Sequence, residues 1–274
     1  MYLSRVTLKP EFYRDTQLGH VLNGSRYSTH QLLWSLFPNQ KSRQFLFRQE
    51  VENEQIKKSS KISGKPIYYI LSAPKPIDST SLFSVETKPF SPKLEKGDLL
   101  SFRLRANPVV SKKEAGKKNS KQHDVVMNAK HELLKSLCKE QSLDSSGKYS
   151  ELVNRINSAE GINVLEALKS LELPADLVKA KKLVADRAMK KWLCDKLSKA
   201  GVSLVNNERN FEELKAVGYR WNALPEKSKK AGFSSVDYEG IMQVQEPSLF
   251  IEQLEKGFGR AKAIGCGLML IRRI

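Results

Sequence analysis

Cysteine is scarce in this chain: Cys138, Cys194 and Cys266 are the three among 274 residues, and they lie far apart. No paired spacing of the kind that binds zinc occurs, and an odd count builds no disulfide framework. The thiols therefore imply a reducing compartment and carry no chemistry of their own. Long hydrophobic runs are missing as well. No stretch reaches membrane-span length, and the opening MYLSRVTLKP lacks the apolar centre of a secretory signal. The expectation is a cytoplasmic protein with no membrane partner. The third shortage is negative charge. Only 30 Asp and Glu stand against 47 Lys and Arg, for a net charge of +17 and a pI near 9.7. That imbalance exceeds what solubility asks for and points to a polyanion, RNA or DNA. An anionic membrane surface would ask for a basic amphipathic helix with a Trp/Phe/Leu face, and none is evident.

What is present supports folding, since 40% of the residues are apolar. The N-terminal part reads strand, helix, strand, strand, short helix, strand. YLSRVTL opens as an extended run. YSTHQLLWSLF then places Leu32, Leu33, Leu36 and Phe37 on one helical face and stops at Pro38. QFLFRQEV alternates, with Phe45, Phe47 and Val51 on one side; IYYILS and a short run around Val85 follow. SPKLEKGD, residues 91 to 98, reads as a linker, so a first domain is set at 1–93 and a second at 99–274.

The second domain opens with LLSFRLRANP, in which Leu100, Phe102 and Leu104 face one way and Ser101, Arg103 and Arg105 the other. A helix predicted over DRAMKKWLCDKLSKAG resumes the plan at residue 186, with Met189, Leu193 and Leu197 at helical spacing. VSLV, GYRWNA and VDYEGIMQV follow as strands, EPSLFIEQLEKG as a helix and GLMLI as a closing strand. The fold class expected is α+β: two tandem ferredoxin-like βαββαβ domains. A basic, helical insertion over 111–185 interrupts the first crossover of the second domain. It begins with the lysine-rich, low-complexity stretch SKKEAGKKNSK, expected to be mobile. It continues into KHELLKSLCKEQSLDSSGKYSELVNRI, which resembles the SAP motif, a helix–loop–helix nucleic-acid-binding module, through Leu133, Leu134, Leu137, Leu143, Gly147, Lys148, Leu152 and Ile156. A plain helical hairpin is the competing reading.

RNA carries its own nucleophile, the 2′-hydroxyl beside each phosphate. Cutting it needs a base for that hydroxyl, an acid for the departing 5′-oxygen and positive charge near the phosphate. Histidine suits either proton role near neutrality. His30 is placed for it at the start of the first helix, and Tyr27, three residues earlier, shares its helical face. A packing histidine is the bland alternative. Arg26, Lys41 and Arg43 flank that helix and offer charge for the phosphorane, or form a solvated basic surface. His20 reads as a surface residue, while His123 and His131 fall in the insertion. Acidic residues with metal-ligand spacing are not found near His30, so no metal or other cofactor is expected. Near the C-terminus, GFGRAKAIGCG combines Gly257, Gly259, Gly265 and Gly267 with Arg260 and Lys262, a pattern that lets backbone N–H groups approach a phosphate while cations neutralise it. A closing strand rather than a helix follows, so it is not a dinucleotide fingerprint.

In order along the chain, MYLSRVTL, YSTHQLLWSLFP, FLFR, SFRLRANP and GFGRAKAIGCGLMLIRR resemble the CasE (Cse3) family, the CRISPR-associated endoribonucleases of type I-E systems. The likeness frames nearly the whole chain outside 111–185. It implies tandem ferredoxin-like domains that cut precursor CRISPR RNA at repeat hairpins without metal, leaving a 5′-hydroxyl and a 2′,3′-cyclic phosphate. It further implies that the protein stays bound to the product within the multi-subunit Cascade complex. The resemblance makes Tyr27 and His30 catalytic; Lys41, flanking the same helix, is a third candidate on its position alone. The resemblance also marks YRWNALPEKSKKAGF as a basic hairpin beside the RNA stem, through Arg220, Lys227, Lys229 and Lys230. Arg103 and Arg105, on one face of their strand, offer a second basic row. Two other functions compete: a non-catalytic RNA-binding subunit, and a DNA-binding protein acting through the SAP-like insertion.

Overall fold

A computed structural model describes residues 1–14, 26–51, 66–78, 82–113, 116, 119–158, 163–205, 214–224, 228 and 231–274. The chain divides into two compact units, one of Met1–Asn107 with Lys196–Ile274 and one of Pro108–Asp195. The first unit holds both sheets of the expected tandem fold. Its N-terminal sheet is built from β1 (Tyr2–Leu8), β2 (Phe45–Val51), β3 (Pro66–Ser72) and β4 (Phe83–Pro89), with α1 (Arg26–Trp34) between β1 and β2. All pairings are antiparallel in the order β2-β3-β1-β4, the ferredoxin-like order. Alternation decides the faces. Val6, Leu8, Phe45, Phe47, Tyr68, Ile70 and Phe83 bury against Leu33 and Leu36, and Phe37 closes the same core.

One expected element is missing. The short helix placed between β3 and β4 does not appear among the described residues, where 73–78 are bends and irregular chain. Pro74 and Pro76 account for this, since each lacks an N–H and pushes its predecessor toward extended backbone. The segment docks instead on the turns after α1, through Ala73 N–H to the Gln44 carbonyl (3.1 Å) and Ile77 N–H to the Leu36 carbonyl (3.0 Å).

The C-terminal sheet is made of β5 (Leu99–Ala106), β8 (Val202–Leu204), β9 (Lys215–Ala223), β10 (Gly232–Val244) and β11 (Met269–Arg273), with α6 (Pro247–Lys256) before the last strand. Its order is β11-β5-β10-β8, and β9 pairs with β10 alongside β8. The long β10 therefore serves two partners on one edge. Leu100, Phe102 and Leu104 are buried as their alternation predicted.

Between β5 and β8 lie β6 (Val109–Lys113), β7 (Ser120–Asp124), α2 (Val125–Glu140), α3 (Tyr149–Ser158), α4 (Val164–Ser170) and α5 (Leu177–Lys199). Helix α5 starts nine residues before the predicted helix at 186. Both ends of the low-complexity stretch, residues 111–113 and 120–121, belong to a two-stranded antiparallel ribbon, β6 against β7. The helical unit has a core of its own: Leu133, Leu134, Leu137 and Cys138 of α2 meet Leu152 and Ile156 of α3, Ala167 and Leu168 of α4 and Ala180 of α5.

The two sheets of the first unit are joined by apolar contact and by one carboxylate. Leu46 and Leu71 of the N-terminal sheet pack with Leu268, next to β11. Asp237 of β10 binds Arg105 of β5 through two bonds, 2.8 Å at Nε and 3.1 Å at Nη2, and also meets Arg48 of β2 (3.3 Å) and Arg220 of β9 (3.0 Å). Arg105 Nη1 adds a bond to the Gln49 carbonyl of β2 (2.9 Å), and Arg48 also pairs with Glu50. Arg48 and Arg105 are both buried, so losing Asp237 would strand guanidinium charge away from water. Asp237→Ala is expected to lower stability by about 3–5 kcal/mol, read by urea denaturation.

Candidate active site and nucleic-acid interface

His30 lies on α1 over the aromatic end of β2. Its ring stacks on Phe45 (centroids 5.7 Å apart, 28° between planes) and Phe47 (6.4 Å, 23°), and meets Trp34 edge-on at 5.5 Å. Packing on rings is thus part of its role, but it leaves one imidazole nitrogen unserved. Nε2 is enclosed and has no hydrogen-bond partner among the described residues. Burial first, and the Arg43 guanidinium second, lower its pKa from the ordinary 6.5, which keeps the ring neutral at pH 7. Thr29, the residue before it, is buried and faces Tyr68 of β3, whose own hydroxyl is pushed well above its usual range by burial. This neighbouring pair seats the helix on the sheet.

Arg43 sits at the entry to β2, half-buried, with Nη1 enclosed and without a hydrogen-bond partner. Burial lowers its pKa. Lys262 comes from the opposite end of the chain, on the short 3-10 turn Lys262–Ile264, which contacts both α1 and β2. Its pKa is lowered by burial, then by Arg43 and Lys196. Its ammonium also donates to the Lys256 carbonyl at the end of α6. The N- and C-terminal parts of the sequence therefore bring His30, Arg43, Lys262 and Lys196 into one electrostatic neighbourhood.

The glycine-rich segment makes that approach possible. Gly257 has φ +71° and lies so close to β2 that an added Cβ would stand 2.7 Å from Leu46 Cδ1. Gly265, at φ +85°, would bring a Cβ to 3.2 Å from Phe47 Cε2. No side chain fits either position without displacing β2 or straining the backbone. Gly259 and Gly267 also have positive φ, and Gly267 N–H donates to the Arg105 carbonyl at 2.7 Å.

The other residues singled out in the sequence fall in different places. Tyr27 and Arg26 lie in the first turn of α1, but their side chains are outside the described residues, as are Lys227, Lys229, Lys230 and His20 altogether. Lys41 is exposed in the connection from α1 to β2. Arg103 and Arg105 do not form one exposed row: Arg103 is exposed and pairs with Glu239 (3.1 Å), whereas Arg105 is buried on Asp237. Arg220 is half-exposed and shares that carboxylate. Arg260 is exposed, and its backbone bridges to Asn107. His131 contacts the Gly147 carbonyl (3.0 Å) within the helical unit.

Sequence reasoning overlooked Asp237, Arg48 and Asn107. Asn107 is buried and donates to the Ser234 carbonyl at 2.7 Å, tying the end of β5 to β10. Its place inside FRLRANP was the available signal. Asp237 gave none, because its partners come from three strands. Among the described residues no group of three His, Cys, Asp or Glu is arranged to hold a metal ion, and no helix is long and apolar enough to cross a membrane.

The class defined here is a tandem ferredoxin-like fold in which a histidine, with Nε2 lacking a partner among the described residues, lies near Arg43 and a glycine-rich segment. Comparison with known proteins specifies it. The family described as "CRISPR associated protein" matches residues 1–273, and the chain belongs to that family. The CRISPR system Cascade subunit CasE of Escherichia coli (strain K12) is 25% identical over 98% of both chains. In overall structure the chain is similar to the CRISPR endoribonuclease Cse3 bound to 19 nt RNA (TM-score 0.60, 19% identity, covering 99% of this chain and 100% of the other). It is similar also to Cas6e from Escherichia coli str. K-12 (TM-score 0.55, 22% identity, 100% of both).

Because the His30 pKa is depressed in the fold, the unfolded chain takes up the proton first as pH falls. His30 therefore favours the folded state above 6.5, and that contribution is lost as pH drops through its lowered pKa. Urea denaturation of wild type and His30→Gln between pH 8 and pH 5, at about one-unit steps, should show the wild type losing more stability toward acid. Equal losses would remove His30 from the buried, cation-facing position.

Proposed function

We propose that the chain is an endoribonuclease that cleaves precursor CRISPR RNA at its repeat hairpins and remains with the product as a Cascade subunit. The observation that carries this reading is the enclosed Nε2 of His30 near the enclosed Nη1 of Arg43, neither with a hydrogen-bond partner among the described residues. Cations converging on a proton-transfer group, with no acid among the described residues that shift them, await an anion. A scissile phosphate supplies it. The names of the relatives, a Cascade subunit and an endoribonuclease held with RNA, support the same substrate.

The reaction follows from RNA's own chemistry. The 2′-oxygen forms a bond to phosphorus, and the bond from phosphorus to the 5′-oxygen breaks. The 2′-proton passes to a base, and a proton returns to the leaving 5′-oxygen. The products are a 2′,3′-cyclic phosphate and a 5′-hydroxyl. His30, kept neutral by burial and Arg43, is in the form that accepts a proton. Tyr27, three residues earlier on α1, positions the reacting group. Arg43 and Lys262 answer the charge that builds on the phosphorane, with Lys41 and Arg26 as further candidates near α1. Gly257, Gly259, Gly265 and Gly267, with Arg260, form the wall along which the backbone passes. Arg103, Arg220 and the lysines at 227, 229 and 230 extend the basic surface toward the stem. The attacking oxygen belongs to the substrate, so the scheme needs no metal-bound water. The setting we assign is the cytoplasm.

Cleavage of a labelled cognate repeat hairpin in EDTA tests this. His30→Ala should cut about 100- to 10,000-fold more slowly while binding with wild-type affinity. Cleavage by the variant at the wild-type rate would leave a non-catalytic RNA-binding subunit as the better reading.

A further inference from the structure

The hairpin of β9 and β10 carries a residue that the cleavage scheme leaves unused. Trp221 of β9 is 62% exposed, and among the described residues no other Phe, Tyr or Trp is exposed. An indole left in water forgoes the burial through which large aromatic side chains stabilise a fold. Its seat is nonetheless built. A Cβ added at Gly232 of β10 would stand 2.5 Å from Trp221 Cζ2 and 2.6 Å from Cε2, so the ring system rests on backbone that only glycine leaves bare. Asn222 locks the two strands beside it, its Nδ2 donating to the Phe233 carbonyl (3.2 Å) and to Ser235 Oγ (3.0 Å).

The register sets what surrounds the ring. Trp221 pairs with Ser234 and Arg220 with Ser235, so these successive side chains leave opposite faces. Arg220 turns to Asp237, and Val217, the other exposed apolar residue of β9, pairs with Asp237 on that same face. The face of Trp221 leads elsewhere. Asn107 donates to the Ser234 carbonyl (2.7 Å), and a backbone bridge joins Asn107 to Arg260 of the glycine-rich segment. Trp221 thus stands in one row with the exposed Arg260, three strand spacings or about 14 Å away.

That placement narrows the ligand. A protein partner asks for contiguous apolar area, whereas the row from Trp221 through Ser234 and Asn107 to Arg260 is polar. An isolated aromatic ring in a row with a cation suits a nucleotide, whose base stacks on the ring while its phosphate meets the charge. Inside an RNA stem the base faces are covered by their neighbours. The faces open to stacking belong to unpaired nucleotides.

We propose that Trp221 is a base-stacking residue for an unpaired nucleotide of the substrate RNA, with Arg260 on the adjoining phosphate. The inference rests on the RNA-cleaving reading and adds a contact by which the protein tells a hairpin with unpaired bases from plain duplex. Every base has a π-face, so the contact tolerates any sequence at that position.

The test measures, by fluorescence anisotropy, the binding of three labelled repeat hairpins, each 2′-deoxy at the scissile position. One is intact, one has an abasic single-stranded flank and one has an abasic loop. Wild type, Trp221→Ala and Trp221→Phe are compared, with thermal melting as the fold control. The wild type is expected to bind the intact hairpin about fivefold to a hundredfold more tightly than one of the two abasic hairpins, and which one assigns the nucleotide to flank or loop. Trp221→Ala should bind the intact hairpin more weakly by a similar factor and lose little more when those bases are removed. Trp221→Phe, which keeps a ring, should recover most of the affinity. If the Ala variant melts early, Trp221→Val, which suits a strand but carries no ring, replaces it. Wild-type affinity for the intact hairpin in a variant that melts normally overturns the proposal and leaves the indole to a protein partner. An equal loss toward all three hairpins also overturns it, since the ring would then touch the stem. A wild type that binds none of the hairpins overturns the RNA-cleaving reading and this inference together, whereas unchanged cleavage by His30→Ala counts against the reading alone.

Discussion

The close approach of the glycine-rich segment to the outer strand of the N-terminal sheet is the contact on which the site depends. β2 is an edge strand, and an uncovered edge leaves backbone groups unpaired and open to association. Here the segment around Gly257 and Gly265 lies on it at distances only glycine allows. Two ends of one chain meet there. The helix face and aromatic platform of His30 come from residues near the N-terminus, and Lys262 comes from residues near the C-terminus.

Two groups of cations sit in this unit, and their charge is balanced differently. Around Asp237, the guanidiniums of Arg48, Arg105 and Arg220 converge on one carboxylate, with Glu50 taking a further bond from Arg48. That group fastens β2 to β5 and β10. Around His30 the neighbours are Arg43 and, beyond it, Lys262, with no acid among the interactions that shift them. A half-buried cation with no counter-charge among the described residues is held at a cost in stability, and such sites tend to be functional. The contrast separates residues that build the fold from residues that await a ligand. It also explains why Arg105 and Arg103, neighbours on one strand face, differ so much in exposure.

Much of the architecture was legible in the sequence because period-two alternation in YLSRVTL, FLFR and SFRLR states which side chains turn inward. The end of α5 before Gly201 was similarly marked, whereas α1 stops at Trp34, four residues short of Pro38. The helix expected after β3, not found among the described residues, shows where this kind of reading fails, since the overall plan was allowed to outweigh Pro74 and Pro76. His30 and the glycine-rich segment were each visible as separate motifs. Their meeting was not, because contact between residues over 200 positions apart depends on how the two sheets pack. Asp237 was hidden for the same reason: a lone acid in VDYEG has no local signature, and its partners lie on β2, β5 and β9.

The most direct test of the central claim is an NMR titration of the His30 imidazole, assigned with His30→Gln, in the free chain and with a repeat hairpin carrying a 2′-deoxy nucleotide at the scissile position. The account predicts a pKa below 6.5 in the free chain and an upward shift when the phosphate enters, because the anion offsets Arg43. A free-chain value at or above 6.5 that RNA leaves unchanged would contradict it, since His30 would then face neither the cations nor the phosphate.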